Sequence, residues 1–385
     1  MIIKNGLVFG ADQKFSNRNV YIKNNIIADD SYTPADPGEI IDAAGCYVLP
    51  GFVDMHTHGA MNFDFCDADI TGIETMLGYY GSHGVTSVIL TTNTYPEAVI
   101  TDAVLAALPY FDMKGYGAVL RGVNLEGPFI SYNKRGAQKP EYLMLPDIDF
   151  FKRVFDLSNG YVRLIDLAPE LPGALGFIEK ACKKCTVSLA HTEASYDEAA
   201  AAFDAGASSV THLFNGMNAF THRAPGVVGA AADKAAFIEL ISDGFHVHPA
   251  MVRAVFKIFG PERVCLISDS MRATGMPNGD YDIGGQIAHV EDGKSTLASD
   301  SATIAGSVVN LADMCRRAIG FGVPIEYVVR AATLNPAMAA GINKDVGSLQ
   351  PGKRADVVIW DKDFNTKAVI CAGDSLDCAA SSQCR

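Results

Sequence analysis

Residues 47–58 read Tyr-Val-Leu-Pro-Gly-Phe-Val-Asp-Met-His-Thr-His, an apolar run that ends in two histidines. Longer segments with helical spacing separate this run from others like it, which is typical of βα units and a parallel sheet. There are eight such runs, at 47–54, 85–92, 118–126, 162–168, 185–191, 208–212, 237–242 and 264–269. Eight strand–helix units over about 240 residues predict an α/β fold of the TIM type, a (β/α)8 barrel.

A doubly wound sheet is the alternative architecture for this alternation of strands and helices. It would carry a glycine-rich phosphate-binding turn after its first strand. In this sequence the two histidines stand at that point and no glycine-rich fingerprint follows. The barrel is therefore the favoured prediction.

Both ends of the chain differ in residue pattern from its middle. The first 45 or so residues have the pattern of short alternating strands with polar turns, and a strand-like pattern returns beyond residue 345. We expect the two ends to form one small β domain, which divides the chain into 1–50, a barrel at 51–344, and 345–385. The segment 374–385 is small and polar, and we expect it to fray.

Composition excludes several classes of protein. With 385 residues, of which 49% are hydrophobic, the chain is too long for a disulfide scaffold and can bury a large core. It has 31 basic and 44 acidic residues, a net charge of −13, so nucleic acid is not an expected partner. No uncharged apolar stretch reaches about 18 residues, so no membrane span is expected.

Cysteine usage indicates the compartment. The nine cysteines are scattered and odd in number, and the first residues lack the layout of a secretory signal, so the cytoplasm is expected. Cys182 and Cys185 have C-x-x-C spacing without a second pair or a thioredoxin-like context. We interpret them as free thiols near the end of a helix.

Polar side chains stand where the predicted barrel strands end. The carboxyl ends of the strands surround one mouth of a TIM barrel, so these side chains should converge there. They are four histidines and two carboxylates: His56, His58, Glu126, His191, His212 and Asp269.

Such a cluster predicts a divalent metal ion. Neutral imidazoles whose lone pairs point together are poorly solvated alone, and histidine nitrogen with carboxylate oxygen is a common donor set for zinc and borderline first-row ions. Side chains alternate along a strand, so His56 and His58 face the same side and can hold one ion. A lone buried histidine is more often a core residue, and we interpret the remaining ones as surface or cap residues: His83, His222, His248 and His289.

Asp269 ends the last predicted strand and has three candidate roles. It could bind the metal, or act as the acid and base that handles the proton of a reacting water, because a metal lowers the pKa of water towards about 7. It could also merely cap the following helix.

The stretch 50–59, Pro-Gly-Phe-Val-Asp-Met-His-Thr-His-Gly, resembles the opening of the amidohydrolase superfamily, whose members pair a metal-bearing TIM barrel with a small β domain from both termini. Other motifs resemble its sugar-phosphate deacetylases and span nearly the whole chain. They include Leu-Glu-Gly-Pro-Phe at 125–129, Thr-His-Leu-Phe-Asn-Gly-Met at 211–217 and Arg-Ala-Pro-Gly at 223–226. The resemblance implies hydrolysis of the acetamide of N-acetyl-D-glucosamine 6-phosphate to glucosamine 6-phosphate and acetate, in amino-sugar catabolism.

The resemblance also assigns roles to the strand-end residues. It implies that Glu126, His191 and His212 hold the main ion, and that His56 and His58 supply a second one with Glu126 as a candidate bridge. One or two divalent ions are implied, zinc first, with Fe, Mn, Co or Ni as alternatives. Asp269 matches the family's catalytic acid and base.

Substrate contacts carry over in the same way. Asn215 and Gly216 match backbone amides near the phosphate, while Arg223 and His246 match side chains that bind it. A loop lining the sugar pocket matches Ala302, Thr303 and Ile304.

One position departs from the family pattern. The motif Gly-Ala-His is replaced by Gly136, Ala137 and Gln138. The family's histidine contacts the substrate, and glutamine can donate a hydrogen bond there but cannot carry charge. We therefore expect Gln138 to bind substrate. The resemblance further implies a homodimer or a higher homo-oligomer.

Three rival functions stay open on the sequence. Cyclic-amide hydrolases of the superfamily place a carboxylated lysine on the fourth strand, and the segment 162–167 has no lysine. A related N-acetyl amino sugar could be the substrate instead. From another class, a non-catalytic scaffold would not need the complete ligand set and Asp269.

Overall fold

Residues 1–29, 31–32 and 38–378 are described by a computed structural model. The strands, in chain order, are β1 (Ile2–Phe9), β2 (Phe15–Lys23), β3 (Ile26–Ile27), β4 (Ile40–Asp42), β5 (Tyr47–Pro50), β6 (Phe52–Thr57), β7 (Gly59–Ala60), β8 (Phe63–Asp64), β9 (Val85–Thr92), β10 (Val119–Glu126), β11 (Val162–Leu167), β12 (Thr186–Leu189), β13 (Ser209–Val210), β14 (Phe237–Leu240), β15 (Val264–Leu266), β16 (Gly279–Ile283), β17 (Gln286–Glu291), β18 (Lys294–Leu297), β19 (Asp300–Ile304), β20 (Val357–Trp360), β21 (Thr366–Cys371) and β22 (Asp374–Leu376).

Helices alternate with the central strands. They are α1 (Ile70–Ser82), α2 (Glu97–Ala107), α3 (Ile148–Leu157), α4 (Ala174–Ala181), α5 (Tyr196–Asp204), α6 (Gly226–Asp233), α7 (Pro249–Phe259), α8 (Leu311–Gly320), α9 (Ile325–Ala331) and α10 (Leu334–Ala339), with short 3-10 turns at Phe65–Asp67, Leu108–Tyr110, Tyr132–Lys134 and Pro140–Tyr142. The local sequence determines where several of these helices begin. Ser195 and Glu198 form a reciprocal capping box at the start of α5, and the Asn310 side chain caps α8.

Eight parallel strands form the central sheet. Their order is β6, β9, β10, β11, β12, β13, β14, β15, so each barrel strand pairs with the next barrel strand along the chain, while β7 and β8 pair separately between β6 and β9. The Asp269 backbone N–H donates to the His56 carbonyl at 2.9 Å, which brings the end of the last strand to the first and nearly closes the barrel. The predicted (β/α)8 barrel is confirmed.

The first predicted barrel strand, 47–54, is wrong in its extent. The structure divides the run into β5, which belongs to the sheet of the termini, and β6, which belongs to the barrel. Gly51 separates them, and a Cβ there would lie 2.1 Å from the Thr86 Oγ1 atom. Apolar periodicity continues through this crossing because both strands are buried, so the pattern alone did not locate it.

Strands from both ends of the chain form a second sheet, as predicted. Its order is β22, β21, β20, β5, β1, β2, β3, with β4 paired to β1. The predicted fraying from residue 374 is wrong at its start, because β22 pairs with β21; residues 379–385 lie outside the described residues. The division into 1–50, 51–344 and 345–385 stays a prediction.

A four-stranded antiparallel meander, β16 to β19, is inserted into the barrel sequence between β15 and α8. It was not predicted from the sequence. Its own small core includes Ile283, Val290 and Leu297, packed with Met271 from the barrel side. The meander lies beside the barrel mouth and therefore contributes to the cavity described below.

Two further expectations concern the chain as a whole. Cys182 and Cys185 lie just after α4, and no disulfide joins cysteines of the described residues, as predicted for this pair. Within the same residues, no helix combines the length and the apolar character that crossing a membrane requires.

Candidate active site

The six side chains predicted to converge do meet at the carboxyl ends of the barrel strands. His56 lies in β6, and Glu126 is the last residue of β10. His58 follows β6 directly, and the other three follow β12, β13 and β15 by two or three residues: His191, His212 and Asp269. Parallel pairing aligns all these strand ends at one edge, which explains why residues up to 213 positions apart become neighbours.

Three of these residues have a left-handed backbone. The φ angles are 45° at His191, 29° at His212 and 45° at Asp269. Non-glycine residues rarely adopt this region, at a cost of roughly 1–3 kcal/mol each, and such residues cluster at functional sites. Backbone hydrogen bonds support the strained turns, including Ser131 N–H to the His191 carbonyl and Ser307 N–H to the Asp269 carbonyl, each 2.8 Å. The strand ends thereby turn their side chains into the mouth.

Glu126, His191 and His212 form the first candidate metal group. The Glu126 Oε1 atom lies 3.1 Å from the Nε2 atom of each histidine, and these two Nε2 atoms are 3.2 Å apart. His191 Nδ1 faces the Lys134 carbonyl at 2.7 Å and donates to it, which leaves Nε2 with its lone pair in the neutral ring. Two nitrogens and a carboxylate oxygen that converge while buried match the donor set of a divalent ion.

His56, His58 and Glu126 form the second group. The Nε2 atoms of His56 and His58 lie 3.7 and 3.5 Å from the Glu126 carboxylate. His56 Nδ1 donates to Glu239 Oε2 at 3.0 Å, and His56 Nε2 is buried without a hydrogen-bond partner. A buried nitrogen lone pair without a partner is unfavourable unless a cation binds it. The residues therefore suit a divalent metal, and Glu126 is shared by both groups.

Asp269 faces the second group. Its Oδ1 atom is 3.3 Å from His58 Nε2 and 3.6 Å from His56 Nε2. The alternative role as a helix cap is wrong, because the next helix of the described residues, α8, begins only at Leu311. Asp269 is thus a site residue.

Both site carboxylates stay ionised at neutral pH. Burial acts to raise the pKa of Glu126, but the close contacts with His191 and His212 outweigh it and hold that pKa well below its usual range. Burial likewise opposes ionisation of Asp269, and its hydrogen bond with His58 and the charges of His56 and His58 leave its pKa lowered. An ionised Asp269 can accept a proton.

A cavity of about 670 Å³ opens onto this cluster, within the usual size range of small-molecule sites. Seven of the eight residues predicted to bind substrate line it, together with two cationic residues that the prediction did not include, Lys134 and Arg135. The seven are Gln138, Asn215, Gly216, His246, Ala302, Thr303 and Ile304. The last three belong to the meander, which forms one wall.

Arg223 is the exception among the predicted substrate residues. It is exposed and is not part of the cavity lining. His246 lines the cavity and is held by Asp243. The Asp243 carboxylate accepts hydrogen bonds from the His246 Nδ1 atom at 2.6 Å and from the His246 backbone N–H at 2.8 Å. Burial acts to raise the pKa of Asp243, but the His246 hydrogen bond and charge leave it lowered, so this carboxylate is an ionised anchor for the ring.

Two buried acids in the barrel interior were not predicted from the sequence. Glu239, in β14, is completely buried and binds both the His56 ring and the His212 backbone N–H, the latter at 3.2 Å. Asp166, in β11, has its pKa raised to about 8, by burial and then by the Glu239 charge. For each of these two residues, the signal in the sequence was a single acid within a largely apolar strand.

The remaining histidines lie outside the cluster, as predicted. His83 ends α1 and His248 caps α7. His222 is exposed, and His289 is exposed in an ion pair with Asp280.

The chain is similar to known proteins over nearly its whole length. The sequence profile described as "Amidohydrolase family" matches residues 47–376. N-acetylglucosamine-6-phosphate deacetylase of Bacillus subtilis (strain 168) is 34% identical over 379 residues, covering 97% of this chain and 93% of the relative. N-acetylgalactosamine-6-phosphate deacetylase of Escherichia coli O157:H7 is 35% identical over 329 residues, covering 85% and 86%.

A solved structure is similar to this chain over nearly its whole length. A mutant of N-acetyl-D-glucosamine-6-phosphate deacetylase from Mycobacterium smegmatis, in complex with N-acetyl-D-glucosamine-6-phosphate, superposes with a TM-score of 0.90. It is 32% identical, and the match covers 98% of this chain and 99% of that one. The chain belongs to the amidohydrolase family and, within it, to the N-acetylglucosamine-6-phosphate deacetylases, which are hydrolases acting on an amide.

Proposed function

We propose that the chain hydrolyses N-acetyl-D-glucosamine 6-phosphate to glucosamine 6-phosphate and acetate, in amino-sugar catabolism. The observation that carries the proposal is the Glu126, His191 and His212 cluster with Asp269 at the base of a polar cavity. The named relatives support this substrate. A non-catalytic scaffold would have no need of the strained strand ends, and β11 carries no lysine for the cyclic-amide type of centre.

The metal would be held by the chain's own histidines and Glu126. We propose that Glu126, His191 and His212 bind the main ion, and that His56 and His58 with Glu126 bind a second. Zinc suits this nitrogen and oxygen set best, with Fe, Mn, Co and Ni as alternatives. A bound divalent ion polarises an amide carbonyl and lowers the pKa of water.

Asp269 carries the proton in the proposed reaction. As an ionised carboxylate it accepts a proton from the attacking water while the new C–O bond forms at the acetyl carbon. It then delivers this proton to the sugar nitrogen as the C–N bond breaks, so the products are an amine and acetate. The contact between Asp269 Oδ1 and His58 Nε2, 3.3 Å, keeps the carboxylate at the cluster during both transfers.

The phosphate would be captured by polar groups of the cavity lining. His246, anchored by Asp243, and the backbone N–H of Gly216 are the proposed contacts, whereas the Asn215 N–H, expected in the same role, already donates to the His212 carbonyl at 3.0 Å. Lys134 and Arg135 add positive charge to the cavity lining. These local cations matter because the chain as a whole has a net charge of −13.

Arg223 and three residues of the meander complete the proposed substrate contacts. Arg223 is exposed in the single chain, so we propose that it reaches phosphate only in a homodimer or higher homo-oligomer. Ala302, Thr303 and Ile304 would contact the sugar from the meander wall. A cytoplasmic location is also proposed, supported by the unpaired cysteines Cys182 and Cys185.

An epimeric substrate is the second candidate. The relative named for N-acetylgalactosamine 6-phosphate is as similar in identity, at 35%, as those named for the glucosamine compound. The two sugars differ only in the configuration at one ring carbon. The amide and phosphate chemistry described above applies to both, so the meander wall would make the choice.

One assay tests these proposals. Acetate release is measured with N-acetylglucosamine 6-phosphate, its galactosamine epimer and unphosphorylated N-acetylglucosamine, using chelated protein with zinc restored. We expect the first sugar to have the highest kcat/KM and the unphosphorylated sugar a value about 10- to 100-fold lower. Equal rates with and without phosphate would overturn the phosphate contacts, and absence of acetate from all three would overturn the function.

A further inference from the structure

Gln138 occupies the position where the chain departs from the family motif, and its hydrogen bonds lead to the metal cluster. The residue is 5% exposed. Its carbonyl oxygen accepts from Thr94 N–H at 2.8 Å, while its Nε2 donates to Glu126 Oε2 at 2.8 Å and to Asn93 Oδ1 at 3.3 Å. Both donors and the acceptor of the amide therefore have partners inside the protein.

The orientation of the Gln138 amide follows from these partners. Thr94 N–H can only donate, so the amide oxygen of Gln138 faces it and the NH₂ group faces Glu126. A flipped amide would place NH₂ against N–H and oxygen against oxygen, which is unfavourable at both ends. The NH₂ group of Gln138 is thus fixed toward the carboxylate.

The two oxygens of Glu126 have different surroundings as a result. Oε1 faces His191 and His212 at 3.1 Å each. Oε2 faces Gln138 and, at 3.5 Å, His58. A donor on Oε2 fixes the rotation of the carboxylate, and groups that orient a ligand in this way affect metal affinity.

We propose that Gln138 is a positioning residue that acts through Glu126, holding its carboxylate in the orientation that binds the metal, rather than a residue that binds the sugar. The proposal rests on the metal-dependent hydrolase proposed above. It replaces the substrate-binding role expected for Gln138, because an amide whose two donors are already used has none left for a sugar hydroxyl or an acetyl oxygen.

The test separates metal affinity from substrate affinity. Zinc binding to the purified full chain is measured by competition with a chromophoric chelator, for the unaltered protein and Gln138→Met, which keeps length but loses both donors. We expect zinc to bind about 10- to 100-fold more weakly to the variant. At saturating zinc, KM for the sugar phosphate should change by less than about twofold, because no substrate contact is lost.

Gln286→Met is the matched control. Gln286 lines the same cavity and donates to the Ala137 carbonyl at 2.6 Å, next to Gln138 in the chain, without a hydrogen bond to Glu126. Its substitution should leave zinc affinity unchanged. A second variant, Gln138→His, retains one donor and one acceptor and should recover most of the zinc affinity; thermal melts identify any variant that does not fold.

Unchanged zinc affinity in Gln138→Met, or a raised KM with unchanged zinc affinity, would overturn the inference. So would zinc binding by Gln138→His as weak as that of Gln138→Met. If the unaltered chain binds zinc but releases no acetate from any sugar, the proposed function fails while the effect of Gln138 on zinc still stands or falls by the chelator measurement.

Discussion

Individual residues at the barrel mouth have separable roles, and Asp269 is the most sharply defined. It contacts both His56 and His58, yet the first candidate metal group, Glu126 with His191 and His212, does not include it. Loss of its charge should therefore remove proton transfer without releasing the main ion. This separation distinguishes a proton carrier from a metal ligand.

Asp269→Asn should lower kcat by about 10²- to 10⁴-fold while zinc remains bound, because general acid–base catalysis contributes about that much. Turnover and zinc content are measured on the same sample. Asp280→Asn, on the exposed meander strand β16, is the control and should retain turnover within about twofold. Near-normal turnover in Asp269→Asn would show that another group carries the proton.

Glu239→Gln should weaken the second zinc ion and spare the first. The Glu239 carboxylate orients His56 through Nδ1, and loss of such a partner lowers metal affinity by about 10- to 100-fold. Titration with zinc by calorimetry resolves the two steps. Asp166→Asn is the matched control: with its pKa raised to about 8, Asp166 is largely neutral at pH 7, so the substitution removes little charge. Equal weakening of both zinc steps in Glu239→Gln would contradict the orienting role.

Residue roles differed in how far the sequence could predict them. The six strand-end side chains converge as predicted because parallel pairing forces the ends of consecutive strands to one edge. Gln138 was placed at the cavity correctly, but its contact with Glu126 depends on the path of the loop after β10, which no periodicity encodes. Arg223 could not be placed for the same reason, since it lies in an exposed loop.

At the scale of elements, one loop builds part of the proposed phosphate-binding region. The loop after β14 carries Asp243 and His246, and the carboxylate accepts three hydrogen bonds, from the N–H groups of Phe245 and His246 at 2.8 Å each and from the His246 ring at 2.6 Å. This single side chain therefore fixes both the turn and the ring. The turn should depend on its ionisation.

Asp243→Asn should lower the free energy of unfolding by about 1.5–3 kcal/mol at pH 7, the value of a hydrogen bond to a charged group. The pKa of Asp243 is lowered in the folded state, so its contribution is present above the unfolded pKa of about 3.9 and is lost as pH falls through the folded value. Urea titrations between pH 7 and pH 3 measure this. The difference between the two proteins should shrink below about pH 4; a difference independent of pH would assign it to packing.

The elements also show where pattern reasoning stops. The barrel strands from β9 onward were located well because buried parallel strands are continuous apolar runs. The meander β16 to β19 was missed because its strands are short, half exposed and inserted where a βα unit was expected. Its position matters for function, since it carries the predicted sugar contacts Ala302, Thr303 and Ile304.

At the scale of the whole molecule, one face of the sheet of the termini joins the hydrophobic core of the barrel, while the sheet also has a separate core that includes Ile3, Val48 and Ile359. Leu49 of β5 and Val358 and Trp360 of β20 belong to the same buried cluster as the barrel residues. The rings of Trp360 and Phe52 meet at 5.2 Å, which joins the sheet of the termini to the first barrel strand. This continuity follows from the chain passing from β5 to β6 through Gly51, and it predicts that the two parts unfold together.

Trp360 makes that prediction measurable, because it is the single tryptophan of the chain and is fully buried at the junction. Its fluorescence reports on the junction, whereas far-ultraviolet circular dichroism reports on the helices around the barrel. In a urea titration of the zinc-loaded protein the two transitions should coincide, since coincidence of probes is the mark of one cooperative unit. Trp360→Phe should lower the midpoint in dichroism by weakening the junction. A fluorescence transition that precedes the loss of helix would instead mean that the sheet of the termini detaches first and that the barrel, with its metal cluster, is stable alone.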